Sequence, residues 1–250
     1  VSITVRAVLQ QLHCKTTKGV DVRLMSMRLF SGSVNLFISK ALNNEIAPTL
    51  QAAFLQQMGH KPSPSEIRSW ENSLKDVAFT IQIAELDDVG VILELRLPMT
   101  SKRLDVMFTG RGLEDARSRA VIMELKQWQK ADSTGFEDLV QTNFFTKDRL
   151  DLHPSRQAAT YAEHLRDQHT AFYSDEGQEW IELTSCSYLH NANTKNCGGL
   201  LDPQYARTLE ESPMFMGNQR DELQTYLVGQ VGGGDGVPIM QRGGVRIAAV

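Results

Sequence analysis

Between Ser33 and Met58 the apolar residues Val34, Phe37, Ile38, Ala41, Leu42, Ile46, Leu50, Phe54 and Leu55 recur at three- and four-residue steps. That period predicts an amphipathic helix. Pro48 predicts a bend or break within it, because proline lacks a backbone donor and crowds the preceding turn. After a turn at Gly59–Ser63, Ser63 stands three residues before Glu66 with Pro64 between them. This is the signature of a capping box, and it predicts a helix from about Pro64 to Val77. The period then shortens. Val91–Leu97, Arg103–Thr109 and Arg119–Lys126 each predict a strand; the first is stopped by Pro98 and the second by Gly110. The apolar centre of the third, Ala120–Met123, points to burial on both faces. The polar stretch Ala131–Asp151 reads as a loop. Pro154 opens a further helix to about Phe172, and Trp180–Leu189 supplies a fourth strand.

The order is helix, three strands, helix, strand. It predicts an α/β fold with a mixed four-stranded sheet flanked by helices. Residues 1–27 show no sustained period and form a poorly defined N-terminal segment. Residues 28–228 hold the domain. Residues 229–250, with Gly232, Gly233, Gly234 and Gly236, read as a glycine-rich linker or a severed junction.

Composition narrows the class. The hydrophobic fraction of 41% and charged fraction of 22% are those of a globular protein. A net charge of −4 supplies no global basic field, which counts against a simple nucleic-acid coat protein. Three cysteines, Cys14, Cys186 and Cys197, form no disulfide rhythm, and a cytoplasmic setting fits them best. Cys186, His190 and Cys197 lack the spacing and the fourth ligand of a zinc site. No apolar run approaches the roughly 20 residues of a membrane span, and a secretory signal is not expected.

The candidate chemistry lies in acids embedded in apolar strands: Asp105 within Leu104–Phe108 and Glu124 within Val121–Leu125. Burying a carboxylate is costly unless it is paired or bound to a metal. Lys126 follows Glu124 by two residues, so strand alternation sends both side chains to one face. A carboxylate for Mg²⁺ and an ammonium beside an attacking water are thereby placed together, as phosphodiester hydrolysis requires. Gln157 and Tyr161, four residues apart, share a face of the later helix.

Each of these residues also has a plainer reading. Asp105 could pair with Arg103, and Glu124 with Lys126 across a sheet edge. Glu66 could be a metal ligand or only the cap of its helix. Gln157 and Tyr161 could belong to an ordinary amphipathic helix. Arg68, Lys102, Arg103, Lys147 and Arg156 are candidates for phosphate contacts and equally for a solvated charged face.

With Glu66, Arg103-Leu-Asp105, Glu124-Leu-Lys126 and Gln157-Ala-Ala-Thr-Tyr161 in this order, the sequence resembles the RecB-type branch of the PD-(D/E)xK nucleases. It is also similar to the N-terminal region of bacterial proteins that carry a Schlafen-like DNA/RNA helicase (ATPase) domain. Ser65–Leu74, Leu97–Gly110, Val121–Trp128, His153–Ala162 and Ser187–Asn191 carry that similarity, within a span from about Leu29 to Arg246. The resemblance implies a restriction-endonuclease-like core and a Mg²⁺ site, with Mn²⁺ able to substitute. Asp105, Glu124 and the Leu125 carbonyl would hold the ion, joined by Glu66. Lys126 would orient or activate the water, and Gln157, Tyr161 and Arg103 would contact nucleic acid or order the site. The implied substrate is DNA, with RNA as an alternative. The implied setting is phage defence or DNA processing beside a helicase partner or a missing motor domain. No G-x-x-x-x-G-K-[ST] sequence is present, so this stretch supplies no motor by that route. The competing expectations are a catalytically idle nucleic-acid-binding or docking module and a purely structural α/β domain.

Overall fold

The computed structural model describes residues 28–98, 100–144, 147–172 and 180–240, and the side chains of all of these except 143, 144, 147 and 148. The apolar period from Ser33 to Met58 folds as two helices, α1 (Val34–Leu42) and α2 (Ile46–Met58). They part at Asn43–Glu45, where Asn44 takes a left-handed φ of 59°. The expected break at Pro48 is therefore displaced. Pro48 lies in the first turn of α2, where backbone N–H groups have no partner within the helix and a missing donor costs no bond. Gly59, at φ 75°, ends α2 and donates its N–H to the Leu55 carbonyl.

Helix α3 (Pro64–Ile83) begins with the expected capping box, both reciprocal bonds between Ser63 and Glu66 being present. It runs beyond the expected end at Val77 because Ala78, Thr80 and Ile81 continue its buried face. Three strands follow, β2 (Gly90–Arg96), β3 (Arg103–Arg111) and β4 (Ser118–Leu125), preceded in the chain by β1 (Phe30–Ser33). After them come β5 (Ala131–Ser133), β6 (Leu139–Phe144), β7 (Lys147–Leu152), α4 (Pro154–Gln168) and β8 (Glu182–Leu189). The chain continues through α5 (Thr194–Cys197), α6 (Ala206–Glu211), β9 (Met214–Met216), α7 (Arg220–Val231) and α8 (Gly236–Ile239).

The main sheet is mixed and has six strands, in the order β1-β2-β3-β4-β8-β9. Pairing is antiparallel from β1 to β4 and parallel from β4 through β8 to β9. The four expected strands form its centre, and β1 and β9 extend it at the edges. Both edge strands are too short to leave a period in the sequence. The parallel β4–β8 pair needs a crossover, which contains α4 on one face. That face buries Ile92, Met107, Ile122, Tyr161 and Leu165. The opposite face buries Val91, Leu93, Val106, Val121 and Met123 against α1, α2, α3 and α7.

Two stretches correct the sequence reading. The polar stretch expected as a loop contains a separate antiparallel sheet, β5-β6-β7. Its Ala131 and Val140 pack with Trp128, Leu200 and Tyr205 in a third apolar cluster. The glycine-rich stretch expected as a linker or a severed junction is packed through α8 over its described residues, 229–240. Gly236 N–H donates to the Asp88 carbonyl at 2.7 Å, and its own carbonyl accepts from Thr109 Oγ1 at 2.8 Å. A Cβ on Gly236 would run into the Thr109 carbonyl and Gly90 N, so glycine serves close backbone approach here. Residues 1–27 and 241–250 lie outside the described residues. Among the described residues no helix is long and apolar enough to cross a membrane.

Candidate functional site

The site begins where the sheet loses its regularity. Register places Leu93 opposite Val106 and Leu95 opposite Leu104, so Glu94 stands opposite Asp105. Leu93 and Val106 belong to the α1–α3 side of the sheet. Leu95 and Leu104, each only two residues away, pack on the α4 side. Both strands therefore exchange faces at this pair. Glu94 makes the exchange with a left-handed φ of 54°, a conformation that costs a non-glycine residue on the order of 1–3 kcal/mol.

On the other side of Asp105, the β3–β4 ladder ends at the pair Val106–Met123. Beyond that pair the carboxylate of Asp105 replaces a backbone carbonyl as acceptor: Oδ2 takes the Leu125 N–H at 2.7 Å. Glu124 follows Ala120 and Ile122 on the α4 side of β4 and is 3% exposed. Its Oε1 accepts from Lys126 Nζ at 2.9 Å and from Gln157 Nε2 at 2.6 Å. Its Oε2 is buried and accepts no hydrogen bond. Lys126 Nζ also donates to Gln157 Oε1 at 2.8 Å, and Gln157 Nε2 donates to the Tyr161 hydroxyl at 2.8 Å. Strand alternation and the four-residue helix step thus deliver Glu124, Lys126, Gln157 and Tyr161 to one place.

Burial governs the charges. It pushes Glu124 up to about 8, and the neighbouring Asp105 charge adds to the shift. Asp105 is itself held above the usual carboxylate range by burial, against the Leu125 N–H and the Lys126 charge. Burial alone would lower Lys126, but the Glu124 carboxylate outweighs it and holds the ammonium above its ordinary value. Lys126 is consequently a proton donor and a fixed cation at neutral pH, not a free base.

Glu94 was not among the residues singled out in the sequence. Its signal was the one that marked Asp105 and Glu124, an acid inside an apolar strand, Val91–Leu97. Glu94 is 8% exposed, and burial followed by the Asp105 charge pushes it up to about 7. Trp70 Nε1 donates to its Oε1 at 2.7 Å and Arg103 Nε to its Oε2 at 2.8 Å.

The partners found differ from residue to residue. Arg103 gives its hydrogen bonds to Glu94 and, at 2.6 Å, to Glu66, so it does not form the expected bridge to Asp105. Glu66 both caps α3 and holds Arg103, and it reaches the acidic centre through that arginine. Glu124 and Lys126 do pair, but on a central strand and not at an edge. Of the suggested phosphate contacts, Arg156 lies among Asp138, Glu163 and Glu211, while Arg68 and Lys102 are exposed. The Lys147 side chain lies outside the described residues. Cys186 is buried in the α1–α3 core and Cys197 in the third cluster.

Among the described residues no three His, Cys, Asp or Glu side chains are gathered as a ready ligand set for a metal ion. The acids of the centre turn instead to protein donors: Asp105 to Leu125 N–H, Glu124 to Lys126 and Gln157, Glu94 to Arg103 and Trp70. No protein-family description, curated protein or solved structure matches the chain.

Proposed function

We propose that the chain is a metal-dependent nuclease of the PD-(D/E)xK type, RecB-type branch, that hydrolyses phosphodiester bonds in DNA, with RNA as an alternative substrate. One observation carries the reading: Asp105, Glu124 and Lys126 converge at one end of the central strands, where Glu124 Oε2 is buried beside the Asp105 carboxyl with no N–H donor of its own. Two carboxyls crowded together in this way hold a proton in place of a second charge, and a cation would supply that compensation instead. The order α3, β2, β3, β4, α4, β8 supports a restriction-endonuclease-like core beneath the added edge strands.

Asp105 and Glu124 would hold Mg²⁺, with Mn²⁺ as a substitute. A hard cation with oxygen ligands suits two carboxylates and retained waters. The Leu125 carbonyl enters the ligand set by the family resemblance. Glu66 acts through Arg103 and Glu94. A bound ion would supply Lewis acidity for the scissile phosphate and for a water. The remaining work falls to the chain's own groups. An ammonium has three protons. Lys126 gives one to Glu124 and one to Gln157, which leaves the third for the attacking water or a phosphoryl oxygen. Gln157 bridges Lys126 and Glu124, and Tyr161 fixes Gln157 from behind. A helicase or ATPase partner, and a role in phage defence or DNA processing, belong to this reading by resemblance alone.

The test is cleavage of single- and double-stranded DNA and RNA by the purified protein with Mg²⁺, Mn²⁺ or a chelator. Metal-dependent cleavage that Lys126→Ala abolishes supports the reading. Nucleic-acid binding without cleavage under any metal would assign the chain to an idle docking module instead.

A further inference from the structure

We propose that Glu94 is a positioning residue that sets Asp105 for metal binding, an inference that rests on the nuclease reading. Among the described non-glycine residues with positive φ, Asn44, Glu85, Asp88, Ala116 and Asp235 lie in turns or connecting segments; Glu94 alone lies inside a strand. A left-handed residue inside a strand, at a buried acid, persists only when its surroundings over-determine it.

Those surroundings are specific. Glu94 is tied by Trp70 of α3 on one oxygen and by Arg103 of β3 on the other. Arg103 is tied in turn to Glu66, the capping residue of α3, and its guanidinium lies 5.0 Å from the centre of the Phe54 ring. Helix α3 thereby fixes the residue at which β2 changes face. Because Glu94 faces Asp105 in the register, β3 must change face at the same point, between Leu104 and Val106. Released from the regular ladder, Asp105 turns its carboxylate to Leu125 N–H, beside the buried oxygen of Glu124. The Trp70 and Arg103 tethers on Glu94 thus hold the geometry that a metal ion between Asp105 and Glu124 would meet. Outer residues that orient ligands commonly change metal affinity or activity by roughly 10–100-fold when replaced.

The experiment is calorimetric titration of Mn²⁺ into wild type, Glu94→Gln, Glu94→Gly, Trp70→Phe and Asp105→Asn, with kcat and KM for DNA measured alongside. Glu94→Gln and Trp70→Phe are expected to weaken Mn²⁺ binding by about tenfold or more and to lower kcat, with KM unchanged. Trp70→Phe removes one tether without altering any charge, and it guards against a folding defect in the Glu94 variants. Glu94→Gly keeps the backbone conformation accessible but loses both tethers, so it should weaken binding as Glu94→Gln does. Wild-type affinity in Glu94→Gln and Trp70→Phe, with Asp105→Asn impaired, would overturn the positioning role and leave the nuclease reading standing. Absence of both Mn²⁺ binding and cleavage in the wild type would overturn the two together.

Discussion

Glu94 on β2 and Asp105 on β3 stand opposite one another, and at that pair both strands pass from one face of the sheet to the other. A regular antiparallel pair would keep every second residue on one face. The exchange frees Asp105 from the β3–β4 ladder and lets its carboxylate cross to Leu125 N–H. Glu124 then lies within electrostatic reach of Asp105, its free oxygen sealed from solvent. The predictions follow from that arrangement.

Asp105→Ala, Glu124→Ala and Lys126→Ala should each abolish cleavage in a folded protein. For Lys126, loss of the proton donor alone should lower kcat by about 10²-fold or more. Circular dichroism checks the fold and single-turnover cleavage checks the rate. Comparable cleavage by purified Lys126→Ala, with contaminating nuclease excluded, would remove the proposed centre.

Gln157→Ala should impair cleavage more than Tyr161→Phe. Gln157 bonds both Glu124 and Lys126, so its loss frees the ammonium to leave its position. Tyr161→Phe removes only the bond behind Gln157, a change of roughly 1 kcal/mol. Equal rates for Gln157→Ala and wild type would separate that helix from the chemistry.

Metal binding should stabilise the fold, since it supplies the charge compensation that the crowded Asp105 and Glu124 otherwise obtain by keeping a proton. At about 100 times the dissociation constant the linkage is worth about 2.7 kcal/mol. Each kcal/mol should raise Tm by roughly 2–4 °C in a chain of this size. Asp105→Asn removes the charge that crowds Glu124, so without metal it should melt no lower than wild type and should respond far less to Mg²⁺. Equal Mg²⁺-induced shifts in the two proteins would mean that Asp105 is no ligand.

Without metal, stability should fall as pH rises across the site's titration. Glu124 and Glu94 move from 4.5 to about 8 and about 7, so the folded state keeps protons that the unfolded state releases. By linkage their contribution is greatest below about 4.5 and is lost as pH rises towards about 8. His153 and His190, both lowered by burial, work in the opposite sense as pH rises towards the ordinary histidine value, and their contribution is constant above it. Comparing wild type with Glu124→Gln in chelator isolates the acid. The wild type should lose Tm relative to the variant as pH rises from about 4.5 to about 8. Parallel pH profiles would contradict the buried carboxylate.

Gly236→Ala should lower Tm, because its Cβ would meet the Thr109 carbonyl and the Gly90 nitrogen. Overpacking of this kind costs about 1–3 kcal/mol. An unchanged Tm would return the segment after α7 to the status of a linker.

Local sequence signals determined the central elements: capping chemistry the start of α3, periodicity the four strands β2, β3, β4 and β8, and Pro154 the start of α4. Periodicity also placed Glu124 with Lys126 and Gln157 with Tyr161, because a step of two on a strand and of four on a helix are properties of the backbone. Short or polar elements escaped it. Strands β1 and β9 hold too few residues to show a period. Strands β6 and β7 interleave polar residues, with Thr142 buried, and so lack an apolar alternation. The glycines after α7 carry no sign in the sequence that distinguishes a flexible linker from close backbone packing. Only the packed β2 and β3 strand ends decided that. Tertiary structure likewise decided the place of Glu94 opposite Asp105, the partners of Arg103 and the contacts of Glu66 with both Ser63 and Arg103. A charge pair is chosen by which side chains burial brings together, and register across strands determines that, not spacing along them.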